Sequence, residues 1–129
     1  MSDEEPRMRD NLNKKDILKE KSFAFSLRIV RLYRYLVEEH REYILSKQLL
    51  RSGTSIGALI REAKFAHSKA DFLNKLTVAL KEANETDYWL DLLYQSDYLN
   101  EKMYRSIQPD IDTLLKLLVA STKTIKKDQ

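Results

Sequence analysis

Between residues 72 and 93, mainly apolar residues recur at alternating intervals of four and three positions. The residues in this phase are Phe72, Leu76, Ala79, Ala83, Thr86, Leu90 and Leu93. Residues at these intervals lie along one face of an α-helix, and the pattern is typical of helices that pack side by side in a bundle. Ser68 and Asp71 precede the run with the spacing of a capping box, so the helix is predicted to begin there.

Two earlier segments show helical periodicity as well. The first helix is predicted from Asp16 to near His40, and the second from about Lys47 to Ala66, with Ser46 as the N-cap of the second. The in-phase apolar residues are Phe25, Ile29, Leu32 and Leu36 in the first segment and Leu49, Ile56 and Leu59 in the second. Phe23, Leu27, Val30 and Val37 are predicted to widen the apolar stripe of the first helix on the same side.

The middle of the second segment contains Gly53 and Gly57. An interior glycine costs a helix about 1 kcal/mol relative to alanine. Either the small residues allow a neighbouring helix to approach closely, and we then expect them to face Ala79 and Ala83 of the third helix, or the glycines break the helix in two.

The last segment keeps one helical phase on both sides of Pro109. Its in-phase residues are Tyr104, Ile107, Ile111, Leu114, Leu118 and Ile125. The phase predicts one helix with a kink near Arg105 to Pro109, while the alternative is a new helix with Pro109 in its first turn.

Four amphipathic segments with short connections predict an all-α protein, an antiparallel up-down four-helix bundle. The 129 residues fit a single hydrophobic core. Residues 1–12 lack periodicity and are predicted to form a disordered N-terminal tail, which leaves residues 13–127 as the only domain.

The composition excludes several classes of protein. The chain has no cysteine, which removes disulfide bonds, thiolate metal sites and a cysteine nucleophile. Its first residues are acidic and polar, unlike a signal peptide, and no stretch approaches the roughly 18 to 20 apolar residues of a membrane span. We therefore expect a cytoplasmic protein without membrane contact.

Several uncommon combinations of residues occur in a fixed order along the chain. They are Leu49-Leu50-Arg51-Ser52-Gly53-Thr54-Ser55-Ile56, Glu62-Ala63, Ser68-Lys69, Asp71-Phe72, Ala79-Leu80-Lys81-Glu82-Ala83-Asn84-Glu85-Thr86 and Trp89-Leu90. Through these motifs, over about residues 25 to 125, the chain resembles the bacterial four-helix-bundle proteins that are encoded by intervening sequences within large-subunit ribosomal RNA genes. It departs from that pattern at Leu59, where Asn is common, and at Arg61, where a small residue is usual.

The resemblance implies a protein without established enzymatic activity that forms homo-oligomers, often pentamers. A related branch of the family serves as the accessory protein of diversity-generating retroelements. The partners implied are copies of the chain itself, structured RNA or a reverse transcriptase. No cofactor and no small-molecule substrate are expected.

Two glutamates, Glu62 and Glu82, lie at the borders of apolar stripes. A carboxylate near a core is costly unless it is paired, and Arg51, Arg28, Lys81 and Tyr88 are the candidate partners of these glutamates. We predict a structural polar cluster, with a ligand or partner site as the alternative. The predicted cluster contains Arg51, Glu62, Glu82 and Glu85.

Catalytic and metal sites are not indicated. Di-iron carboxylate bundles use Glu-x-x-His pairs, and neither His40 nor His67 follows a glutamate by three positions. Nucleotide-binding loops and Ser–His–Asp signatures are also missing from the sequence. We therefore predict no enzyme, no catalytic residue and no metal.

Basic residues form two groups that are predicted to contact RNA phosphates, with an ordinary solvated face as the alternative. The first group lies on the outward side of the first helix, and Tyr35 beside it is a candidate stacking residue. The members of the two groups are Arg28, Arg31 and Arg34, and then Lys47, Arg51, Arg61, Lys64 and Lys69. The net charge is only +3, so the placement of these residues matters more than their number.

The third helix carries more aromatic residues than a thin bundle core can hold. Tyr88, Tyr94 and Tyr98 are therefore predicted to mark an interface between copies of the chain. A protein–protein scaffold that contacts no nucleic acid is the rival interpretation of the whole sequence.

Overall fold

The computed structural model describes the backbone of residues 6–127 and the side chains of residues 17–127. Within these residues the chain forms α1 (Pro6–His40), α2 (Leu45–Ala63), α3 (Lys69–Gln95) and α4 (Glu101–Lys127). Each helix packs against the next, and α4 packs back against α1, which closes an up-down bundle. The predicted all-α four-helix fold is confirmed.

The core contains most of the residues that the helical phases selected. In α3, the phase residues from Leu76 to Leu93 are buried, and Phe72 is half-buried. The core side of α1 is also as predicted for Phe25, Ile29, Leu32 and Leu36. The prediction of a wider apolar stripe on α1 is wrong in part, because the side chains of Phe23 and Leu27 are exposed.

Glu42 organises the connection between α1 and α2. Arg41 adopts a left-handed conformation with φ 51° and ends α1, and the Glu42 N–H donates to the carbonyl of Leu36 at 3.0 Å. The Glu42 carboxylate then accepts the first N–H groups of α2, those of Ile44 at 2.7 Å and of Leu45 at 2.6 Å. A carboxylate suits this place because the N-terminus of a helix carries unpaired donors and partial positive charge.

The prediction that Ser46 is the N-cap of α2 is therefore wrong. Ser46 is buried inside the helix, and its hydroxyl donates to the Glu42 carbonyl at 2.7 Å. The helix also ends at Ala63, three residues before the predicted end at Ala66.

The glycines of α2 lie in a continuous helix, so the broken-helix alternative is wrong. They face α1 and not the alanines of α3. A Cβ atom at Gly53 would lie 2.9 Å from Cγ1 and Cγ2 of Ile29, and a Cβ atom at Gly57 would lie 3.2 Å from the Ser26 Oγ atom. Glycine thus lets the backbone of α2 rest directly on α1.

The start of α3 is as predicted. Ser68 is its N-cap, and the Ser68 hydroxyl accepts the Asp71 N–H at 3.0 Å. The Asp71 carboxylate in turn accepts the His67 N–H at 3.2 Å.

The last segment is one helix with Pro109 inside it, so the interpretation that Pro109 begins a new helix is wrong. At the other end of the chain, α1 begins at Pro6, before the predicted start at Asp16. Residues 1–5 lie outside the described residues, and the division into a tail of residues 1–12 and a domain of residues 13–127 stays a prediction.

We expect Gly53→Ala to destabilise the protein by about 1 to 3 kcal/mol, because the new methyl group would overlap a buried, β-branched Ile29 with little rotamer freedom. Gly57→Ala is the matched control. Its methyl group meets the half-buried Ser26 hydroxyl, which can rotate away, so the gain in helix propensity is retained. Urea denaturation that showed the two variants to be equally stable would contradict this account of the α1–α2 contact.

Candidate functional site

Arg51 of α2 joins two carboxylates of α3. Its Nη1 atom donates to the Glu82 carboxylate at 3.0 Å, and its Nη2 atom donates to Glu85. Glu85 also accepts the indole N–H of Trp89 at 3.1 Å. Of the four candidate partners that the sequence offers to the two glutamates, Arg51 is the one that binds Glu82. These residues tie α2 to α3 at the edge of the core, where the Glu82 side chain is only 11% exposed.

The ionisation of this group follows from its contacts. The hydrogen bond from Arg51, and after it the one from Trp89, lowers the pKa of Glu85. The hydrogen bond to Glu85 raises the pKa of Arg51. Both pKa shifts favour the charged forms of Glu85 and Arg51, so these two side chains form an ion pair between α2 and α3 at neutral pH.

Glu62, which the sequence places in the same cluster, has a different partner. Its carboxylate pairs with Lys75 of α3 at 3.6 Å, and 59% of the Glu62 side chain is exposed. Of the four predicted cluster residues, Arg51, Glu82 and Glu85 therefore form one group of ion pairs among the described residues. Glu62 lies apart from them in a solvated pair with Lys75.

Arg28 is engaged inside the bundle. It donates to the Asp110 carboxylate at 2.6 Å and to the carbonyl and hydroxyl oxygens of Ser106 at 2.9 and 2.6 Å. Arg28 thus fastens α1 to α4, as Arg51 fastens α2 to α3. Of the eight basic residues predicted to contact RNA, these two already have carboxylate partners.

Three of the remaining basic residues lie at one end of the α1–α2 side. Arg31, Arg34 and Lys47 are exposed, and none has an ion pair with another described residue. Because Gly53 faces Ile29 and the helices run in opposite directions, Lys47 lies near the level of Arg34. We call Arg31, Arg34 and Lys47 the basic end. Lys69 is also exposed, in the first turn of α3.

The opposite end of the α1–α2 side holds a groove. It encloses about 440 Å³ between Phe23 of α1 and Phe65, which follows α2, with Gly57 and Ala58 among its other lining residues. Phe23 is 52% exposed and Phe65 is 72% exposed. We call it the aromatic groove. The apolar periodicity predicts Phe23 in the core, and the predicted end of the second helix at Ala66 places Phe65 inside that helix, so no pattern in the sequence marks Phe65 as a surface residue.

Two of the predicted phosphate-contacting residues border the aromatic groove. Arg61 lies over the ring of Phe23 at 5.6 Å, and Lys64 lies over the ring of Phe65 at 5.9 Å. These are distances at which a cation is attracted to the face of an aromatic ring.

The three tyrosines predicted to form an interface lie in different surroundings. Tyr94 stacks on Tyr104 of α4 with ring centroids 4.2 Å apart, and Tyr98 meets the edge of His40 at 5.5 Å. Tyr88 is 58% exposed and touches only Trp89 among the described aromatic rings. Tyr94 and Tyr98 are therefore engaged between helices, and Tyr88 alone of the three projects from the bundle.

Carboxylates without cationic partners flank the base of Tyr88. Asp87 is half-buried, and its Oδ1 atom is buried without a hydrogen-bond donor. Burial raises the pKa of Asp87, and the nearby charges of Asp91 and Asp112 raise it further. Asp91 accepts the hydroxyl of Tyr104, and this bond raises the pKa of Tyr104 to about 12.

The histidines are not brought together. His40 contacts Tyr35 and Tyr98, and the Tyr35 hydroxyl lies 3.0 Å from the His40 Nε2 atom. His67 lies in the exposed turn before α3. Among the side chains of residues 17–127 no group of three or more acidic, histidine or cysteine residues is arranged to hold a metal ion. None of the described helices is long and apolar enough to cross a membrane.

Comparisons with known proteins agree with the sequence motifs. Residues 14–120 match the family model described as 23S rRNA-intervening sequence protein. The structure is similar to the crystal structure of a protein of unknown function from the S23 ribosomal protein family of Bacteroides thetaiotaomicron VPI-5482, with 55% identity and a TM-score of 0.83. That match covers 85% of this chain and 98% of the other. No curated protein matches the chain. The family resemblance predicted from the motifs is confirmed.

We expect Glu82→Gln to lower the free energy of unfolding by about 1 to 2 kcal/mol, because it removes the charged partner of Arg51 at the edge of the core. Glu62→Gln is the control. It breaks another pair between α2 and α3, but an exposed one, and should cost less than about 1 kcal/mol. Equal shifts of the two denaturation midpoints would mean that burial adds nothing to the Arg51–Glu82 pair.

Asp87→Asn should stabilise the protein at neutral pH. The pKa of Asp87 is raised in the folded state, so its contribution to stability is complete at acid pH and is lost as the pH rises through the raised pKa, above the ordinary value of about 3.9. Asparagine stays neutral and avoids that loss. Thermal unfolding should show the variant to be more stable than the parent at pH 7 and the difference to shrink towards pH 4. A variant that is less stable at pH 7 would contradict the argument.

Proposed function

Because the chain belongs to the 23S rRNA-intervening sequence protein family, we propose that it is a non-enzymatic accessory protein that assembles with copies of itself and binds structured RNA. The observation that carries the proposal is the basic end. Arg31, Arg34 and Lys47 are exposed on neighbouring helices and have no carboxylate partner within the described residues. Unpaired cations on a rigid surface are suited to phosphate groups, whose counterions they displace on binding.

The contacts within the bundle narrow the set of phosphate-binding residues. Arg28 and Arg51 hold α4 and α3 through carboxylates, so they contribute to the fold and are not part of the proposed RNA surface. The RNA contacts are assigned to Arg31, Arg34 and Lys47, with Lys69 as a more distant exposed cation.

The mode of binding proposed is recognition of the RNA backbone with little reading of sequence. Sequence-specific RNA modules stack splayed bases on exposed aromatic rings. Beside the basic end, Tyr35 is half-buried and its ring packs edge-on with His40, so it is less open to a base than a fully exposed ring. A few phosphate contacts per copy give weak binding, and a symmetric assembly would multiply them on one RNA.

The non-enzymatic part of the proposal rests on the state of the ionisable groups. Glu82 and Glu85 are both occupied by Arg51. The pKa of Tyr104, at about 12, keeps its hydroxyl protonated, since that hydroxyl is bound to Asp91. The shifted pKa values of Glu85 and Tyr104 hold these two groups in their ordinary ionisation states, and general acid–base catalysis needs groups that exchange protons near neutral pH.

A scaffold that binds only proteins, a reverse transcriptase among them, is the second candidate function. The exposed rings of Phe23 and Phe65 favour it, because large apolar side chains beside a groove are typical of protein interfaces. RNA binding under varied salt distinguishes the two functions.

The test is a double charge reversal, Arg31→Glu with Arg34→Glu. The parent should bind a structured RNA in low salt, and the double variant should lose at least tenfold in affinity. Its slope of log affinity against log salt should fall by about 0.7 to 0.9 for each phosphate contact removed. Lys81→Glu with Lys123→Glu is the control, since it makes the same change of charge at exposed positions of α3 and α4 and should bind more tightly than the Arg31/Arg34 variant.

Filter binding or fluorescence anisotropy measures these affinities, and light scattering verifies that the variants keep the parent's mass. A parent that does not bind RNA in low salt would remove RNA from the proposal and leave the scaffold. If the two double variants lost the same RNA affinity, the RNA would be attracted by the net charge of the protein and would not bind a defined surface.

A further inference from the structure

The aromatic groove is an apolar surface without a partner in the described part of the chain. Its two phenylalanines are more than half exposed, and the small residues Gly57 and Ala58 leave room between them. An aromatic side chain that leaves water for such a site removes about 150 to 250 Å² of its surface from solvent. The groove is therefore shaped for one protruding aromatic side chain.

The rim of the aromatic groove is basic. Lys19, Arg61 and Lys64 border it or stand over its rings, and none of them has an ion pair with a described residue. Glu62, which also lines the groove, is paired with Lys75. Among residues 17–127 the charge of the rim is thus uncompensated, which favours an occupant that carries carboxylates beside its aromatic group.

The outer face of α3 has those properties. Tyr88 is 58% exposed, and Asp87 and Asp91 lie one position before it and three positions after it on α3, on its side towards α4; neither has a cationic partner among residues 17–127. The raised pKa of Asp87, due first to burial and then to Asp91 and Asp112, reflects the uncompensated negative charge. The third nearby carboxylate, Glu85, is neutralised by Arg51. We call Tyr88, Asp87 and Asp91 the acidic tyrosine face.

The two surfaces cannot meet within one chain. The groove opens between α1 and α2, whereas the acidic tyrosine face lies on α3 towards α4, and α1 and α3 are not adjacent helices of the bundle. We propose that the aromatic groove of one copy binds the acidic tyrosine face of a second copy, with Tyr88 between Phe23 and Phe65 and Asp91 facing Arg61. The proposal rests on the self-assembly part of the proposed function and names the surfaces that form it.

The contact is heterologous, because two different surfaces meet and each copy offers both. Such contacts propagate from copy to copy and close into a ring when the rotation between neighbours divides a full turn. The basic end lies outside the contact at the other end of the α1–α2 side. Each copy in the ring would therefore present Arg31, Arg34 and Lys47 again.

The first experiment measures the mass of the assembly by light scattering at micromolar concentrations. Tyr88→Ala removes the inserted side chain, and Ala58→Arg places a long cation in the groove. Both should shift the mass from that of the parent towards the 15.2 kDa of one chain. Tyr43→Ala and Ala120→Arg are the matched controls, since Tyr43 and Ala120 are exposed outside both surfaces, and they should keep the parent's mass.

The second experiment exchanges the charges. Arg61→Glu alone and Asp91→Lys alone should each weaken assembly at least tenfold, and the two changes in one chain should restore most of it, because every contact then has the opposite pair. Asp91→Lys also removes the acceptor of the Tyr104 hydroxyl, so Asp91→Asn, which keeps an acceptor and removes the charge, is measured beside it. Circular dichroism verifies that each variant is folded.

The outcomes separate this inference from the proposed function. If the parent assembles and both Tyr88→Ala and Ala58→Arg keep its mass, the chain assembles through another surface, and only the inference is overturned. A parent that is monomeric overturns the inference together with the self-assembly on which it rests. Groove variants that lose RNA binding at unchanged mass would make the aromatic groove an RNA site, which also overturns the inference.

Discussion

The arrangement of the bundle depends on the direct contact of α2 with both of its neighbours. On one side the missing side chain of Gly53 lets Ile29 of α1 reach the α2 backbone, and Ile29 is completely buried. On the other side the hydroxyls of Ser52 and Thr86 are 2.9 Å apart in the buried contact with α3. Interiors are packed as densely as organic crystals, so a bulkier residue on α2 would displace α1 and, through it, α4.

Around this packed centre, two arginines fix the outer edges in the same way. Arg28 fastens α1 to α4, and Arg51 fastens α2 to α3. Both ion pairs join helices that are adjacent in the bundle. They also divide the basic residues of the protein into two sets. One set, which includes Arg28 and Arg51, forms ion pairs within the bundle. The other set, which includes Arg31, Arg34 and Arg61, has no ion pair with a described residue.

The free cations are themselves divided by what surrounds them. At the basic end they are exposed and have no carboxylate partner among the described residues, which suits phosphate groups. At the aromatic groove they stand over Phe23 and Phe65, which suits a partner that is both apolar and acidic. One side of the bundle thus offers two surfaces of different chemistry, so the proposed RNA binding and the proposed self-assembly need not compete.

The sequence by itself determined the four helices, their antiparallel order and most of the core, because helical periodicity depends on which residues lie on one face and needs no knowledge of the partner helix. It also determined the cap at Ser68, and it offered Arg51 as one of four candidate partners of Glu82. It misplaced Phe23, the N-cap of α2 and the neighbour of the α2 glycines. Each of these depends on how far a helix rotates against its neighbours and where a loop bends. Only the tertiary structure decided them. It also decided which arginines form ion pairs and which remain without them, because the partner can be distant in sequence: Asp110 lies 82 positions from Arg28 along the chain.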